Sequence, residues 1–287
     1  NLLSPVGAGI LSRNVSDQEY SRLFEKEGLS LVNSSGYQSN GRFDQNTTIL
    51  GSHRRIAYAV DGFYRTDPGF RPNEDLEQRS LALQFKAALS PKDTLYFQSL
   101  VSDSAFGDPT QYYDPSSASS AIRAKEQFEP LFLAGWAHAW SPDNKAVVLF
   151  GHYDARLAVD NPMDQSLLGA AAGGTFIPAV TINNNLNYRN HQRIESIEIQ
   201  NIVRRENLTF VGGMVFQTGV FDTASRQDTP ASLAFLFPGG VLSDQRFEND
   251  FRRWGGYGYV FWQATEPLLI TLGVSYYDLL FPRGFRA

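Results

Sequence analysis

The segment Leu81–Asp108, LALQFKAALSPKDTLYFQSLVSDSAFGD, holds two runs of alternating apolar and polar residues, joined by a short turn and followed by a polar loop. Leu81, Leu83, Phe85, Ala87 and Leu89 share one face of an extended chain, and Ala82, Gln84, Lys86 and Ala88 share the other. Successive side chains of a strand point to opposite faces, so this pattern predicts a β-hairpin with two chemically different surfaces. The turn SPKD (90–93) has the Pro and Asp that tight turns favour, and SDSAFGD opens a much longer connection.

The arrangement recurs along the chain. Strands are predicted over about 28–38, 41–50, 54–66, 76–89, 94–103, 126–140, 145–157, 190–204, 207–219, 247–264 and 268–281, eleven in all. Tight turns fall at GSH (51–53), SPKD (90–93), SPDN (141–144), REN (205–207) and TEP (265–267). Long loops fall at 67–75, 104–125, 158–189 and 220–246. From Gly51 onward short and long connections alternate, with the tight link at Ser39–Asn40 as the one exception. In antiparallel order this gathers the tight turns on one rim and the long loops on the other, as in membrane-spanning β-barrels. Soluble sandwiches usually mix loop lengths at both ends. Several of the predicted strands, at ten or more residues, reach the roughly 9–11 needed to cross a bilayer at a tilt.

The fold class expected is therefore all-β: an antiparallel up-and-down transmembrane barrel with short periplasmic turns and long extracellular loops. It is incomplete, because bacterial single-chain barrels have an even strand number. The last strand runs toward the long-loop rim and ends in PRGFRA, so the polypeptide is expected to continue past Ala287 and to precede Asn1. Residues 1–27 form a connector. SDQEYSRLFEKEG places Ser16 three residues before Glu19, a capping-box spacing, and predicts a short amphipathic helix. Residues 28–287 form the partial barrel.

Composition agrees. The chain of 287 residues has 21 Phe, 13 Tyr, 24 Gly and no Cys, which excludes disulfides and thiolate metal sites. Its 30 acidic and 25 basic residues give a charge of −5 with no basic block, which argues against nucleic acid. No apolar run reaches the roughly 18 residues of a membrane helix; LLGAAAGGTFIPAVTI (167–182) is broken by Gly173, Gly174 and Pro178. Tyr64, Tyr276 and Tyr277 near the long-loop rim, and Trp140 and Trp262 beside tight turns, match the aromatic girdles of bilayer interfaces.

YAVDGFYRTDPGFRPNEDLEQRSLALQFKAALSPKDTLYFQ (58–98), GDPTQYYDPSSASSAIRAKEQFEP (107–130) and the ending VSYYDLLFPRGFRA (274–287) resemble the barrels of TonB-dependent receptors. The likeness is to a branch in which tetratricopeptide repeats or a plug precede the barrel. It implies a bacterial outer-membrane protein that takes up a nutrient ligand, with the lipid bilayer and a TonB-type energy-coupling protein as partners; a surface lipoprotein is a further partner expected from two apolar loops described below. No TonB box is recognisable in these residues. A passive porin or structural barrel of an envelope complex is the alternative, and a soluble glycan-binding β protein a third.

No catalytic motif is present, and no enzyme, metal site or cofactor is expected. His53, His138, His152 and His191 are dispersed; folding the hairpin about 141–144 sets His152 near Leu133, roughly 17 Å along the strand from His138. Asp103, Asp108, Asp114, Asp160, Asp164, Asp222 and Asp228 lie around the long loops without EF-hand spacing and read as solvated surface. The polar strand face assigns Asp61, Arg65, Gln84 and Lys86 to the lumen. Within GGYGYVFW (255–262), Tyr257 and Tyr259 are candidates for stacking on a sugar or aromatic ligand. Leu167, Leu168 and Phe176, with Leu233, Phe235 and Phe237, make two predicted loops unusually apolar. Such residues line the mouth or dock a partner.

Overall fold

Where polar and apolar residues alternate, the backbone satisfies its N–H and C=O groups only by pairing across strands. The computed structural model describes residues 27–108, 119–172, 175–230 and 237–280, with backbone alone for 170–172, 175–179 and 238. It shows one antiparallel sheet in which every strand neighbours the next in sequence: β1 (Gly28–Tyr37), β2 (Phe43–His53), β3 (Ile56–Asp67), β4 (Leu76–Ala88), β5 (Asp93–Phe106), β6 (Arg123–Ser141), β7 (Asn144–Ala172), β8 (Thr175–Arg205), β9 (Leu208–Asp228), β10 (Val241–Thr265) and β11 (Leu268–Leu280). The up-and-down order and the eleven strands are those expected. No helix among the described residues is long and apolar enough to cross a membrane. The helix expected near Ser16 lies outside the described residues.

The two faces differ as the alternation requires. One carries Tyr58, Leu81, Leu83, Phe85, Phe97 and Val101, all exposed, and continues through Phe150, Ile197, Phe216 and Trp254 on later strands. The other carries Ala57, Ala59, Gln78, Gln84, Ser102 and Ser104, all buried. Leu83 is 40% exposed whereas its neighbour Gln84 is 6% exposed. A flat sheet would shield both faces alike, so the sheet curls with its polar, small-residue face inside.

Proline and glycine set the details. Proline donates no backbone hydrogen bond and is confined to edges or bulges. All three prolines within strands sit at register shifts: Pro130 between Phe128 and Phe132, Pro162 between Asn161 and Asp164, and Pro178 opposite the shift at Leu168–Gly169. The shift at Pro130 reverses parity along β6. Phe128 turns inward, buried at 5.9 Å from the Tyr153 ring, and Phe132 turns outward against Phe97 and Phe150.

Three expected connections are corrected. The turn placed at 51–53 lies at Arg54–Arg55, where Arg54 takes a left-handed φ of 54°. Gly51 stays in β2 because its missing side chain leaves room for the Tyr58 ring across the strand pair. The loops expected over 158–189 and 220–246 are largely strand: β7 and β8 run 29 and 31 residues, and β9 reaches Asp228. The extended parts of β7 and β8 pair with each other instead of closing early. β6 follows β7 only to Asp160 and β9 follows β8 only from Asn185, so the remainder is a two-stranded ribbon beyond the sheet. Buried Asn184 pins its root, accepting from Ser166 Oγ (2.5 Å) and donating to Asp164 (3.1 Å).

On β10 and β11, tyrosine rings cover cross-strand glycines. A methyl group on Gly273 would meet Tyr259 Cδ1 at 2.5 Å, whereas one on Gly258 would meet nothing nearer than 3.9 Å. Gly273→Ala is therefore expected to destabilise the barrel by about 1–3 kcal/mol, and Gly258→Ala to be nearly neutral, by urea unfolding in detergent. In a Tyr259→Ala background the cost of Gly273→Ala should largely vanish, because the clash is with that ring alone.

Candidate functional site

Asp61, Arg65, Gln84 and Lys86 lie on the same inner face of β3 and β4. Cross-strand partners fix this: Asp61 opposite Ala82, Arg65 opposite Gln78, Gln84 opposite Ala59, and Lys86 opposite Ala57. Thr48 on β2 donates to Asp61 Oδ1 at 2.6 Å, and Arg65 Nη2 reaches Asp67 Oδ2 at 3.0 Å. Four buried polar atoms of this patch have no hydrogen-bond partner among the described residues: Asp61 Oδ2, Arg65 Nε, Gln78 Nε2 and Gln84 Oε1. Buried polar atoms are normally satisfied, so these four are exceptions among the described residues. Gln78, which sequence reasoning passed over, is 2% exposed. Its parity with Gln84 on the same strand was the available signal.

Tyr257 and Tyr259 also project inward, with ring centroids 5.7 Å apart. Gln200 Nε2 donates to the Tyr257 hydroxyl at 2.7 Å, and that hydroxyl donates to Glu198. Tyr257 leans over Gly213, Tyr259 over Gly273 and Tyr277 over Gly255. Arg253 lies 4.2 Å from the Tyr277 ring centroid. The rings are thus laid against the sheet, filling the space that glycine leaves, and do not stand apart as the two walls of a cleft.

Leu167 and Leu168 belong to β7, and the backbone of Phe176 to β8, so these three residues of one predicted loop are strand in the projecting ribbon; Leu167 is exposed. Phe237 precedes the short 3-10 turn Pro238–Gly240 and is half-buried. Leu233 and Phe235 lie outside the described residues.

Each histidine has one carboxylate neighbour: Asp93 for His138 (2.7 Å), Glu195 for His152 (2.5 Å), Asp154 for His191 (2.8 Å) and Glu27 for His53 (3.7 Å). His152 sits opposite Phe132, one residue from the expected Leu133, because of the register shift at Ala139–Ser141 beside the turn. No group of three or more potential metal ligands forms among the described residues.

At the rim opposite the tight turns, two connections interlock. Asn73, at a left-handed φ of 60°, donates its side-chain amide to the carbonyls of Ser119 (2.8 Å) and Ile122 (2.9 Å). Asp108 accepts from Ser119 N at 2.8 Å, and Arg123 Nη1 donates to both carboxylate oxygens of Asp75. Phe70, 84% exposed, stands at the tip of the 68–75 connection. Its N–H, followed by the Arg71 side chain, holds the Glu74 carboxyl below its ordinary value of 4.5. A depressed carboxylate pKa stabilises the folded form above the unfolded value, and this is lost as pH falls through the lower folded value. Amide protection at Phe70 and Arg71 should therefore be complete above pH 4.5 and fail only below it. Glu74→Gln should show weakened protection at neutral pH, measured by hydrogen exchange.

No protein-family model matches the chain, and no curated protein matches it significantly. Solved structures do. The pyoverdine outer membrane receptor FpvA from Pseudomonas aeruginosa superposes with a TM-score of 0.64 at 11% identity, over 90% of this chain and 41% of the receptor. BauA, the ferric preacinetobactin receptor from Acinetobacter baumannii, gives 0.64 at 9% identity, over 90% and 42%. The copper transporter OprC gives 0.62 at 12% identity, over 89% and 38%. The chain spans about two fifths of these proteins, and its fold is that of part of a TonB-dependent receptor barrel.

Proposed function

We propose that this chain is part of an outer-membrane barrel that carries a polar nutrient ligand inward, in the manner of TonB-dependent receptors. The observation that carries this reading is the separation of faces across eleven strands. An exposed apolar surface suits lipid. The enclosed surface holds Gln78, Gln84, Asp61 and Arg65 with hydrogen-bonding capacity to spare. Only a closed barrel lets a sheet cross a bilayer with its backbone groups satisfied. The similar structures are a pyoverdine receptor, a ferric preacinetobactin receptor and a copper transporter. A metal complex or a solute of like polarity is the ligand class this favours.

The interlocked connections around Asn73 and Phe70 make up the capturing rim in this reading, and the inner faces of β3 and β4 form one wall of the passage. A TonB-type energy-coupling protein and a surface lipoprotein are the partners it implies. A passive channel built from the same faces would need neither.

Expressed within its full-length polypeptide, the protein should sediment with the outer membrane, resist carbonate extraction and migrate anomalously when unheated. Recovery in the soluble fraction would contradict the membrane assignment. Uptake by cells should collapse when the proton gradient is dissipated, and persistence of uptake would favour the passive channel. Gln78→Leu with Gln84→Leu removes two polar contacts of about 1 kcal/mol each, so half-saturation for uptake should rise roughly thirtyfold.

A further inference from the structure

The outward face carries charge in ordered rows once its apolar residues end. On β5 that face reads Leu95, Phe97, Ser99 and Val101 before the first charge, Asp103; on β9 it reads Met214, Phe216, Thr218 and Val220 before Asp222. Cross-strand pairing links these into one row: Asp103 opposite Gln127, Gln127 opposite Arg156, Arg156 opposite His191, and His191 opposite Asp222. One step further from the apolar surface, Lys125 faces Ala158, Ala158 faces Arg189, Arg189 faces Ala224, and Ala224 faces Arg246. Cations and alanines thus alternate across five neighbouring strands. The alanines leave a depression of about 420 Å³ whose wall holds Lys125, Arg156, Arg189 and Arg246 against one carboxylate, Asp222.

We propose that this depression binds the phosphorylated headgroup of a lipid in the outer leaflet. The inference rests on the membrane assignment above. The cationic heads are already positioned: Asp103 holds Lys125 at 3.1 Å, Glu129 holds Arg156 at 3.2 Å, Asp160 holds Arg189 at 2.9 Å, and Asp222 holds Arg246 at 3.0 Å. All four cations line the wall, whereas three of those carboxylates, Asp103, Glu129 and Asp160, do not. Arg246 engages Asp222 through Nε and Nη2, which leaves the Nη1 donors outside that pair.

A phosphomonoester offers three acceptor oxygens and nearly two charges, and guanidinium forks match it bidentately. Basic pockets at the membrane surface recognise phosphorylated headgroups by this means. The source is a lipid because the depression opens on the same face as Phe150, Ile197 and Phe216. Acyl chains attached to a headgroup there would lie along that apolar surface.

The test uses the full-length protein in mixed micelles, titrated with diphosphoryl lipid A, with the same glycolipid after dephosphorylation, and with inorganic phosphate as competitor. Arg189→Gln with Arg246→Gln should weaken lipid A binding at least about tenfold, the scale of two lost charge-assisted contacts. Arg189→Lys with Arg246→Lys should retain most of it. Dephosphorylated glycolipid should bind no better to the wild type than to the glutamine variant, and excess inorganic phosphate should not displace lipid A. Equal lipid A binding by the wild type and a glutamine variant that migrates as a folded barrel would overturn the proposal while leaving the membrane assignment intact. Complete displacement by inorganic phosphate would overturn the lipid source. Failure of the wild type to enter the outer membrane would overturn both readings at once.

Discussion

Everything in this fold depends on each strand pairing its backbone with the strand next to it in sequence. An extended chain has no other internal partner for its N–H and C=O groups. The sequential order β1 to β11 supplies that partner at every step. Once pairing is fixed, the two-residue repeat of side chains becomes a property of the whole sheet. One residue of slip would exchange the two faces along an entire strand. Register is therefore what keeps Leu83 outside and Gln84 inside.

Several of the register shifts fall at residues that cannot pair normally. Pro130, Pro162 and Pro178 each coincide with a shift, and the first lets one strand place Phe128 inward and Phe132 outward. Glycines answer a different need. They accept the inward tyrosines of β10 and β11, so that the inner surface stays covered without ring standing on ring. The result is a curved wall, apolar on one side and polar on the other, whose charged rows begin where the apolar surface ends.

Much of this was legible beforehand because a period of two is a strong signal over ten or more residues. Leu81 to Leu89 declared its two faces directly, and the number of strands followed from turn residues. The extent of β7 and β8 was not legible, because Pro162, Gly173, Gly174 and Pro178 resemble loop punctuation when no partner strand is in view. The turn at Arg54–Arg55 was missed because Gly51 and Ser52 look like turn residues, whereas Gly51 serves the Tyr58 ring. The inner polar patch was half seen: Asp61, Arg65 and Gln84 were found by parity, while Gln78 was passed over beside Arg79 and Glu77. The cationic rows were invisible, since Lys125, Ala158, Arg189, Ala224 and Arg246 meet only through four strand registers.

The most direct test of the account is which face meets lipid. Because the chain has no cysteine, single cysteines can be placed one at a time at positions 81 to 86 without background. In outer-membrane vesicles, cysteines at 81, 83 and 85 should resist a charged water-soluble maleimide, and fluorophores there should be quenched by brominated lipid. Cysteines at 82, 84 and 86 should show no lipid quenching. Quenching that ignored the alternation, or that fell on the even positions, would contradict a barrel wall with its apolar face in the bilayer.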